Sequence, residues 1–247
     1  MTVQEGVLRY GDSSWQRVDL YTPVQGPVRS AVVIFHGGFW RHDRIARDLE
    51  PLAVALVQRG CAAAVVEYRP AWDGGQWPAA AEDAAQALER LDGAGAPWRD
   101  ATLVGHSAGA HLALSALAGR GGGRRAVLLA PVVDLARTVA TGTGGPAVGH
   151  FLAGHLASGG SVDEATPRPS RADLASLTVV EAACDQAVPT ELTEYQLKGW
   201  RDGGLAVDHH LVADARHMHL VNPEREGCAA VLALLAGDPA AAEGSAS

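Results

Sequence analysis

A serine between two glycines is the residue best suited to covalent chemistry in this chain. It lies in the stretch TLVGHSAGAHL, where Gly105, Ser107 and Gly109 match the pattern G-x-S-x-G. The apolar residues before it predict a buried strand, and the residues after it predict a helix with leucines on one side. Such a strand, tight turn and helix would raise the hydroxyl of Ser107 above the sheet edge as a nucleophile. The alternative is an ordinary Gly-Ser turn between a core strand and its helix.

A serine nucleophile needs a base, and the base needs a carboxylate that orients it. Asp185 follows a predicted apolar strand at residues 178–183, so it lies at a sheet edge from which it can reach across to Ser107. It could instead cap the helix that is predicted to begin near Pro189. The other candidate carboxylates are Asp202, Asp208, Asp214 and, inside the strand, Glu181.

Two histidines in the loop after the last predicted strand compete for the role of the base. Residues 214–220 read DARHMHL, which contains His217 and His219. We favour His217 because it comes first in the loop, whereas His219 adjoins an apolar Leu-Val pair that leads into the final helix. His219 would then lie at the surface or on a pocket wall, and both could also be solvated loop residues. His209 and His210 lie within a predicted strand and are poorer candidates.

A glycine-rich loop follows the first long apolar strand, which is predicted over residues 31–35. The loop reads HGGFW and begins at His36. The anion that forms when a serine attacks a carbonyl needs backbone N–H donors that are already in place. We assign this oxyanion-binding role to the N–H groups of Gly38, Phe39 and Ala108, and we expect His36 to brace the loop. The alternative is a simple glycine turn.

Aromatic residues lie in or near the predicted loops. We predict that Trp40, Trp72 and Trp77 contact the substrate and that Phe39 helps to enclose it. The alternative is that these rings pack in the core or anchor their loops, which is a common role of large aromatic side chains.

The predicted elements that must position these residues alternate between strand and helix. This alternation predicts one α/β domain over residues 1–237, with a mostly parallel sheet, helices on both faces and an antiparallel hairpin over residues 7–21. A segment over residues 134–174 is rich in Gly, Pro, Ser and Thr, and we predict either a lid over Ser107 or a fixed helix with a loop. Residues 238–247 are predicted to form a flexible tail.

The composition excludes several classes of partner. The chain has 247 residues, a formal charge of −8 and no basic run, which argues against nucleic acid. It has no apolar stretch that would cross a membrane, and its three cysteines lack metal-ligand spacing. Its first residues are polar, so we expect no leader sequence. We therefore expect a cytoplasmic protein, as a monomer or homodimer, that needs no metal or cofactor and acts on a small-molecule substrate.

Taken together, these motifs resemble the α/β-hydrolase superfamily over nearly the whole chain. HGGFW is similar to the HGGxW signature of kynurenine formamidases (arylformamidases), and GHSAGAHL resembles their serine turn. The stretches EYRP and GQWP also resemble small bacterial esterase-like hydrolases. The chain departs from these relatives at Phe39, where lipase-type loops have a third glycine. It also departs at residues 181–184, which read Glu-Ala-Ala-Cys where relatives usually have a glycine near the strand end.

The resemblance implies the α/β-hydrolase fold with an eight-stranded sheet and a short lid-like insertion. It also implies a serine hydrolase that cleaves a small ester or amide through an acyl-enzyme, with an N-formyl arylamine or a short-chain carboxylic ester as substrate. Two alternatives stay open, because a fold does not determine a function. One is a non-hydrolytic biosynthetic enzyme (a cyclase, lyase or acyltransferase), and the other is a binding module with a vestigial site.

Overall fold

Eight strands form a single sheet in the computed structural model, which describes residues 2–236. The strands are β1 (Val3–Arg9), β2 (Arg17–Pro23), β3 (Ser30–Phe35), β4 (Cys61–Val66), β5 (Thr102–His106), β6 (Arg124–Leu129), β7 (Leu174–Ala182) and β8 (Val207–Val212). Their spatial order is β1-β2-β4-β3-β5-β6-β7-β8. Strand β2 runs antiparallel to β1 and β4, and the other neighbouring pairs are parallel. The predicted mostly parallel eight-stranded sheet is confirmed.

Seven α-helices lie between or after these strands within the described residues. They are α1 (Glu50–Val57), α2 (Ala79–Gly93), α3 (Gly109–Leu117), α4 (Leu135–Ala140), α5 (Pro146–Ala157), α6 (Thr190–Asp202) and α7 (Glu226–Ala236). Helices α1 and α7 pack on one face of the sheet, and α2 and α3 pack on the other. No helix among residues 2–236 has the length and apolar character needed to cross a bilayer.

The central strands are buried because helices cover both of their faces. Every residue of β4 and β5 is buried, and so is all of β3 after its first residue. These strands read as continuous apolar runs rather than alternating ones, which is typical of parallel strands in a two-sided sheet. Their carboxyl ends meet at one edge, so residues that follow β3, β5, β7 and β8 are brought close together.

The hairpin predicted over residues 7–21 is present but longer, since β1 begins at Val3 and β2 ends at Pro23. Among the added residues of β1, Gln4, Glu5 and Gly6 are exposed and Val3 is half-buried, so their strand structure follows from pairing with β2 rather than from apolar patterning. The segment over residues 134–174 contains α4, α5 and a short 3₁₀ turn. The tail predicted over residues 238–247 lies outside the described residues.

A matched pair of glycine substitutions tests how tightly this fold is packed. A Cβ at Gly109 would overlap the carbonyl oxygens of Phe35 and His36, whereas a Cβ at Gly199, on the exposed side of α6, would meet nothing within 4 Å. We expect Gly109→Ala to lower the free energy of unfolding by about 3 kcal/mol, because backbone must move. We expect Gly199→Ala to raise it by about 0.5–1 kcal/mol, since alanine favours the helix. Urea denaturation measures both, and equal stabilities would contradict the packing described above.

Candidate active site

Ser107 lies in the sharp turn that joins β5 to α3. Its φ angle is 53°, in the left-handed region that residues with side chains rarely adopt, and this conformation costs about 1–3 kcal/mol. Backbone hydrogen bonds to the end of β6 hold this turn. The N–H of Ser107 donates to the carbonyl of Leu129 at 2.8 Å. The carbonyl of Ser107 accepts from the N–H of Val132 at 3.1 Å. The end of β6 therefore fixes the serine at the carboxyl edge of the sheet.

Glycines around this turn allow backbone segments to touch. A Cβ at Gly105 would meet Cα of Ala110 at the start of α3, and a Cβ at Gly109 would overlap backbone at the end of β3. A Cβ at Gly37 would lie 2.8 Å from Cβ of Ser107. The His-Gly-Gly loop, which we define as residues 36–40, is thus pressed directly against the serine turn.

Asp185 and His217 form a hydrogen-bonded pair across the ends of β7 and β8. Nδ1 of His217 lies 2.7 Å from Oδ2 of Asp185. The second carboxylate oxygen accepts the N–H groups of Ala187 at 2.7 Å and Val188 at 3.0 Å, so Asp185 also shapes its own turn. An ionised carboxylate only accepts hydrogen bonds, so Nδ1 carries the ring proton and Nε2 is left as an acceptor.

Two opposing effects act on the carboxyl group of Asp185. Burial raises its pKa, but the hydrogen bond from His217 and the two backbone N–H donors outweigh burial and hold the pKa below its usual value. The side chain is 4% exposed, while that of His217 is 17% exposed. Asp185 therefore stays ionised behind the imidazole, and the imidazole is the member of the pair that faces solvent.

Ser107 and His217 line the same cavity, which has a volume of about 460 Å³. We call it the Ser107 cavity. Its other lining residues come from the His-Gly-Gly loop, the segment that follows it, His106 and the loops after β7 and β8: His36, Gly37, Gly38, Phe39, Arg41, Asp43, Arg44, Asp48, Leu49, His106, Ala187 and Met218. The structure thus brings the three residues predicted for the nucleophile, carboxylate and base to one place.

The rival residues lie elsewhere. His219 lies against α7, where its Cβ is 3.4 Å from the position of a Cβ on Gly227. His209 pairs with Glu181 at 2.9 Å within the sheet, and Asp202 pairs with Lys198 on α6. None of these residues lines the Ser107 cavity among the residues that the structure describes.

The His-Gly-Gly loop has three consecutive residues with positive φ angles, namely 104° at Gly38, 51° at Phe39 and 57° at Trp40. Within residues 2–236, the backbone N–H groups of Gly38, Phe39 and Ala108 have no hydrogen-bond acceptor. Gly38 and Phe39 line the cavity, and Ala108 directly follows the serine. The N–H groups predicted to bind an oxyanion are therefore free to donate.

Glu67 is a residue that sequence reasoning missed. It is 1% exposed, and its carboxylate accepts from Nε2 of His36 at 3.1 Å, the guanidinium of Arg17 at 3.2 Å and the N–H of Ala46 at 3.0 Å. The ring of His36 also stacks on Tyr68, with centroids 4.3 Å apart. These contacts brace the His-Gly-Gly loop from behind. A glutamate at the end of an otherwise apolar strand was the sequence feature that could have pointed to it.

His106 was also missed, although it adjoins the serine. Its ring lies 4.7 Å from the ring of His217, measured between centroids, and it lines the Ser107 cavity. Burial lowers the pKa of His106 to about 3. The side chain is therefore uncharged near neutral pH and adds no positive charge beside His217.

The three tryptophans predicted to contact the substrate are not among the described residues that line the Ser107 cavity. Trp40 is fully buried and stacks on Phe151 of α5 with centroids 4.0 Å apart. Trp77 packs edge-on against His111, and Trp72 stacks on His150 at 4.1 Å near the surface. Large aromatic side chains gain from such ring packing, and Phe151 and His150 of α5 are the partners of Trp40 and Trp72.

The same packing bears on the lid predicted over residues 134–174. Phe151 and Leu152, which were expected to form its inner face over Ser107, are fully buried in the core layer that contains α2 and α3. No residue of the segment lines the Ser107 cavity among the described residues. Gly144 of this segment abuts the ring of Phe39, which lines the cavity. The structure places this segment beside the cavity as a packed layer.

Comparisons with known proteins agree with this architecture. A family model described as BD-FAE matches residues 18–128, a range that contains both the His-Gly-Gly loop and the serine turn. Kynurenine formamidase from Danio rerio is 33% identical over 116 residues, which are 44% of this chain and 36% of that protein. The matched stretch thus spans only about a third of that relative.

Several solved esterases share the fold. Esterase LipW from Mycobacterium marinum has a TM-score of 0.73 at 21% identity and covers 98% of this chain and 82% of its own. Esterase 2 from Thermogutta terrifontis, with propionate bound, has a TM-score of 0.70 at 21% identity and covers 93% and 91%. Inhibited esterase B from Lactobacillus rhamnosis has a TM-score of 0.74 at 19% identity and covers 98% and 90%.

The sheet order, the serine turn and these likenesses define the class. The protein has the α/β-hydrolase fold. Its resemblance to kynurenine formamidase and to esterases of this fold, expected from HGGFW and GHSAGAHL, is confirmed.

His111, which is buried against Trp40 and Trp77, predicts how the stability of the protein depends on pH. Burial lowers the pKa of His111 from its usual 6.5 to about 4. Between these values the unfolded chain binds a proton that the folded chain does not, so the folded state loses stability as the pH falls from 6.5 towards 4. In His111→Gln the amide retains a donor for the carbonyl of Ala165, which Nε2 of His111 contacts at 2.7 Å. Between pH 7 and pH 5, the free energy of unfolding of this variant should therefore fall by roughly 2 kcal/mol less than that of the parent chain.

Urea denaturation at the two pH values measures this difference. The control is His210→Gln, which removes an exposed histidine from β8 and should leave the pH dependence unchanged. If His111→Gln loses as much stability as the parent chain between pH 7 and pH 5, His111 is not the neutral buried group described here.

Proposed function

We propose that this protein is a serine hydrolase that cleaves a small ester or amide through an acyl-enzyme intermediate. The observation that carries the proposal is the convergence of Ser107 and His217 on one cavity, with Asp185 2.7 Å behind the imidazole. Each of these residues has the chemical type and the order along the chain that this reaction needs.

The reaction follows from the hydrogen-bonding states of the residues. Nε2 of His217 takes the proton of Ser107 while the serine oxygen forms a bond to the substrate carbonyl carbon. The resulting oxyanion accepts from the free N–H groups of Gly38, Phe39 and Ala108. When the carbonyl re-forms, the bond to the leaving oxygen or nitrogen breaks, and that atom takes the proton from His217. Water then repeats the sequence to release the acid and restore the serine.

A small acyl group is the substrate feature that the cavity favours. Its volume of about 460 Å³ suits a small molecule, and Phe39 reduces the space beside the oxyanion donors. The likeness to kynurenine formamidase supports an N-formyl arylamine as the substrate of this chain. The likeness to an esterase with bound propionate supports a short-chain carboxylic ester. We propose these two substrate classes for this chain.

Substitution of the three residues tests the mechanism. We expect Ser107→Ala, Asp185→Asn and His217→Ala each to lower kcat on 4-nitrophenyl acetate by roughly a thousandfold or more, because the three act as one unit. Circular dichroism and thermal unfolding establish that the variants fold. His219→Ala is the matched control and should keep most of the activity, so a dead His219→Ala with an active His217→Ala would refute the assignment of the base.

A fluorophosphonate probe separates hydrolysis from the alternatives. The proposal expects Ser107-dependent labelling together with turnover of esters or formanilides. Labelling without hydrolysis would favour a cyclase, lyase or acyltransferase, since the nucleophile would then be active while water is not the acceptor. The absence of both would favour a binding module.

Acyl-chain selectivity is a further expected outcome. The kcat/KM on 4-nitrophenyl esters should fall at least tenfold from butyrate to octanoate, because a long chain needs an extended apolar trough. Phe39 lies between the cavity and the apolar cluster of Val132, Val188 and Leu192. Phe39→Ala should therefore raise the ratio of octanoate to butyrate activity while it retains the backbone N–H. A parent enzyme that prefers octanoate would contradict the proposed substrate size.

A further inference from the structure

One wall of the Ser107 cavity is charged. Its charged residues are Arg41, Asp43, Arg44 and Asp48, and all four come from the segment between the His-Gly-Gly loop and α1. The mechanism proposed above uses none of them. A charged wall beside a serine nucleophile bears on which substrates can bind there.

Most of these charges have partners inside the wall. The guanidinium of Arg41 pairs with Asp43 at 2.8 Å, and the carboxylate of Asp48 accepts the N–H of Ile45 at 3.3 Å. Arg44 differs from them, since it makes no ion pair and no side-chain hydrogen bond with any residue in the described range 2–236. Its cationic group is therefore available to a ligand.

The stem of Arg44 is held against the loop that surrounds the reacting centre. A Cβ on Gly38 would overlap Cβ and Cγ of Arg44, so the two residues are in direct contact. Gly38 supplies one of the proposed oxyanion donors and also lines the cavity. Arg44 thus projects from a fixed point beside the carbonyl that Ser107 would attack, which places its charge within reach of another part of the same small molecule.

A guanidinium recognises a carboxylate by two parallel N–H donors, and it stays charged at all working pH values. The chain as a whole has a formal charge of −8, so a carboxylate ligand would otherwise meet an unfavourable background. Arg44 is the cavity arginine that has no carboxylate partner within residues 2–236, so it is the local positive charge that counters this effect.

We infer that Arg44 binds a carboxylate of the substrate, so that the preferred substrate is an ester or amide that also carries an acidic group. This inference rests on the proposed serine hydrolase function. The carboxylate belongs either to the acyl part or to the leaving group, and both arrangements use the same recognition by Arg44.

Two pairs of substrates, each an acid and its neutral amide, test the inference. The acyl pair is the mono-4-nitrophenyl ester of glutaric acid and 4-nitrophenyl glutaramate. The leaving-group pair is 4-acetoxybenzoate and 4-acetoxybenzamide. We expect the enzyme to prefer the acid in one pair, and Arg44→Gln to lower kcat/KM on that acid by about tenfold or more, mainly through KM. Activity on the matching amide should change less than twofold, because Gln retains the Cβ and Cγ that contact Gly38.

Arg47→Gln is the matched control. Arg47 lies three residues further along, pairs with Glu50 at 2.9 Å and does not line the Ser107 cavity among the described residues. Arg47→Gln should leave kcat/KM unchanged on all four substrates, which separates direct recognition by Arg44 from a general change of charge. Arg44→Lys should recover part of the preference for the acid.

Several results would overturn the inference. These are no preference for the acid in either pair, an equal loss on acid and amide in Arg44→Gln, or the same loss in Arg47→Gln. In those cases turnover of the neutral amides that Ser107→Ala abolishes would still support the serine hydrolase. If none of the four substrates shows Ser107-dependent turnover, the proposed function fails and the inference about Arg44 falls with it.

Discussion

Backbone contact between the end of β3 and the serine turn is the constraint on which the rest of the site depends. Gly109 lies so close to the carbonyls of Phe35 and His36 that no side chain fits there, and a Cβ on Gly37 would lie 2.8 Å from Cβ of Ser107. The strained φ of 53° at Ser107 is maintained because the N–H of the serine is bonded to the end of β6. Strand packing therefore supplies the energy that holds Ser107 in this conformation.

Two buried carboxylates each orient a histidine that lines the Ser107 cavity. Asp185 holds His217, and Glu67 holds His36 at the base of the His-Gly-Gly loop. A buried charge is costly unless it is paired, and both carboxylates are also satisfied by backbone N–H donors. Arg17 adds a cation beside Glu67. The proposed base and the proposed oxyanion loop thus share one arrangement, in which a buried carboxylate held by the fold orients a histidine.

The aromatic cluster around Trp40 determines which surfaces border the cavity. Its stacking on Phe151 ties α5 to the core, so the segment over residues 134–174 packs beside the cavity rather than lining it. The wall of the cavity is left to the polar segment after the loop, which contains Arg44. The loop thus contacts the aromatic residues through Trp40 and the charged segment through Gly38.

The sequence by itself determined the order of the candidate residues along the chain. A serine between glycines follows an apolar strand, and an acid and a histidine follow the last two strands. Those features are local, because apolar runs, glycines and turn residues act within a few positions, and the parallel sheet then gathers strand ends at one edge. Placing Ser107, Asp185 and His217 together needed no more than this. Only the tertiary structure decided where Trp40 packs, that Glu67 is buried behind the loop and that Arg44 lines the cavity with no ion pair to any residue in the range 2–236. Each of these depends on positive φ angles in the loop and on contacts with residues remote in sequence, such as Phe151 with Trp40, which no local pattern encodes.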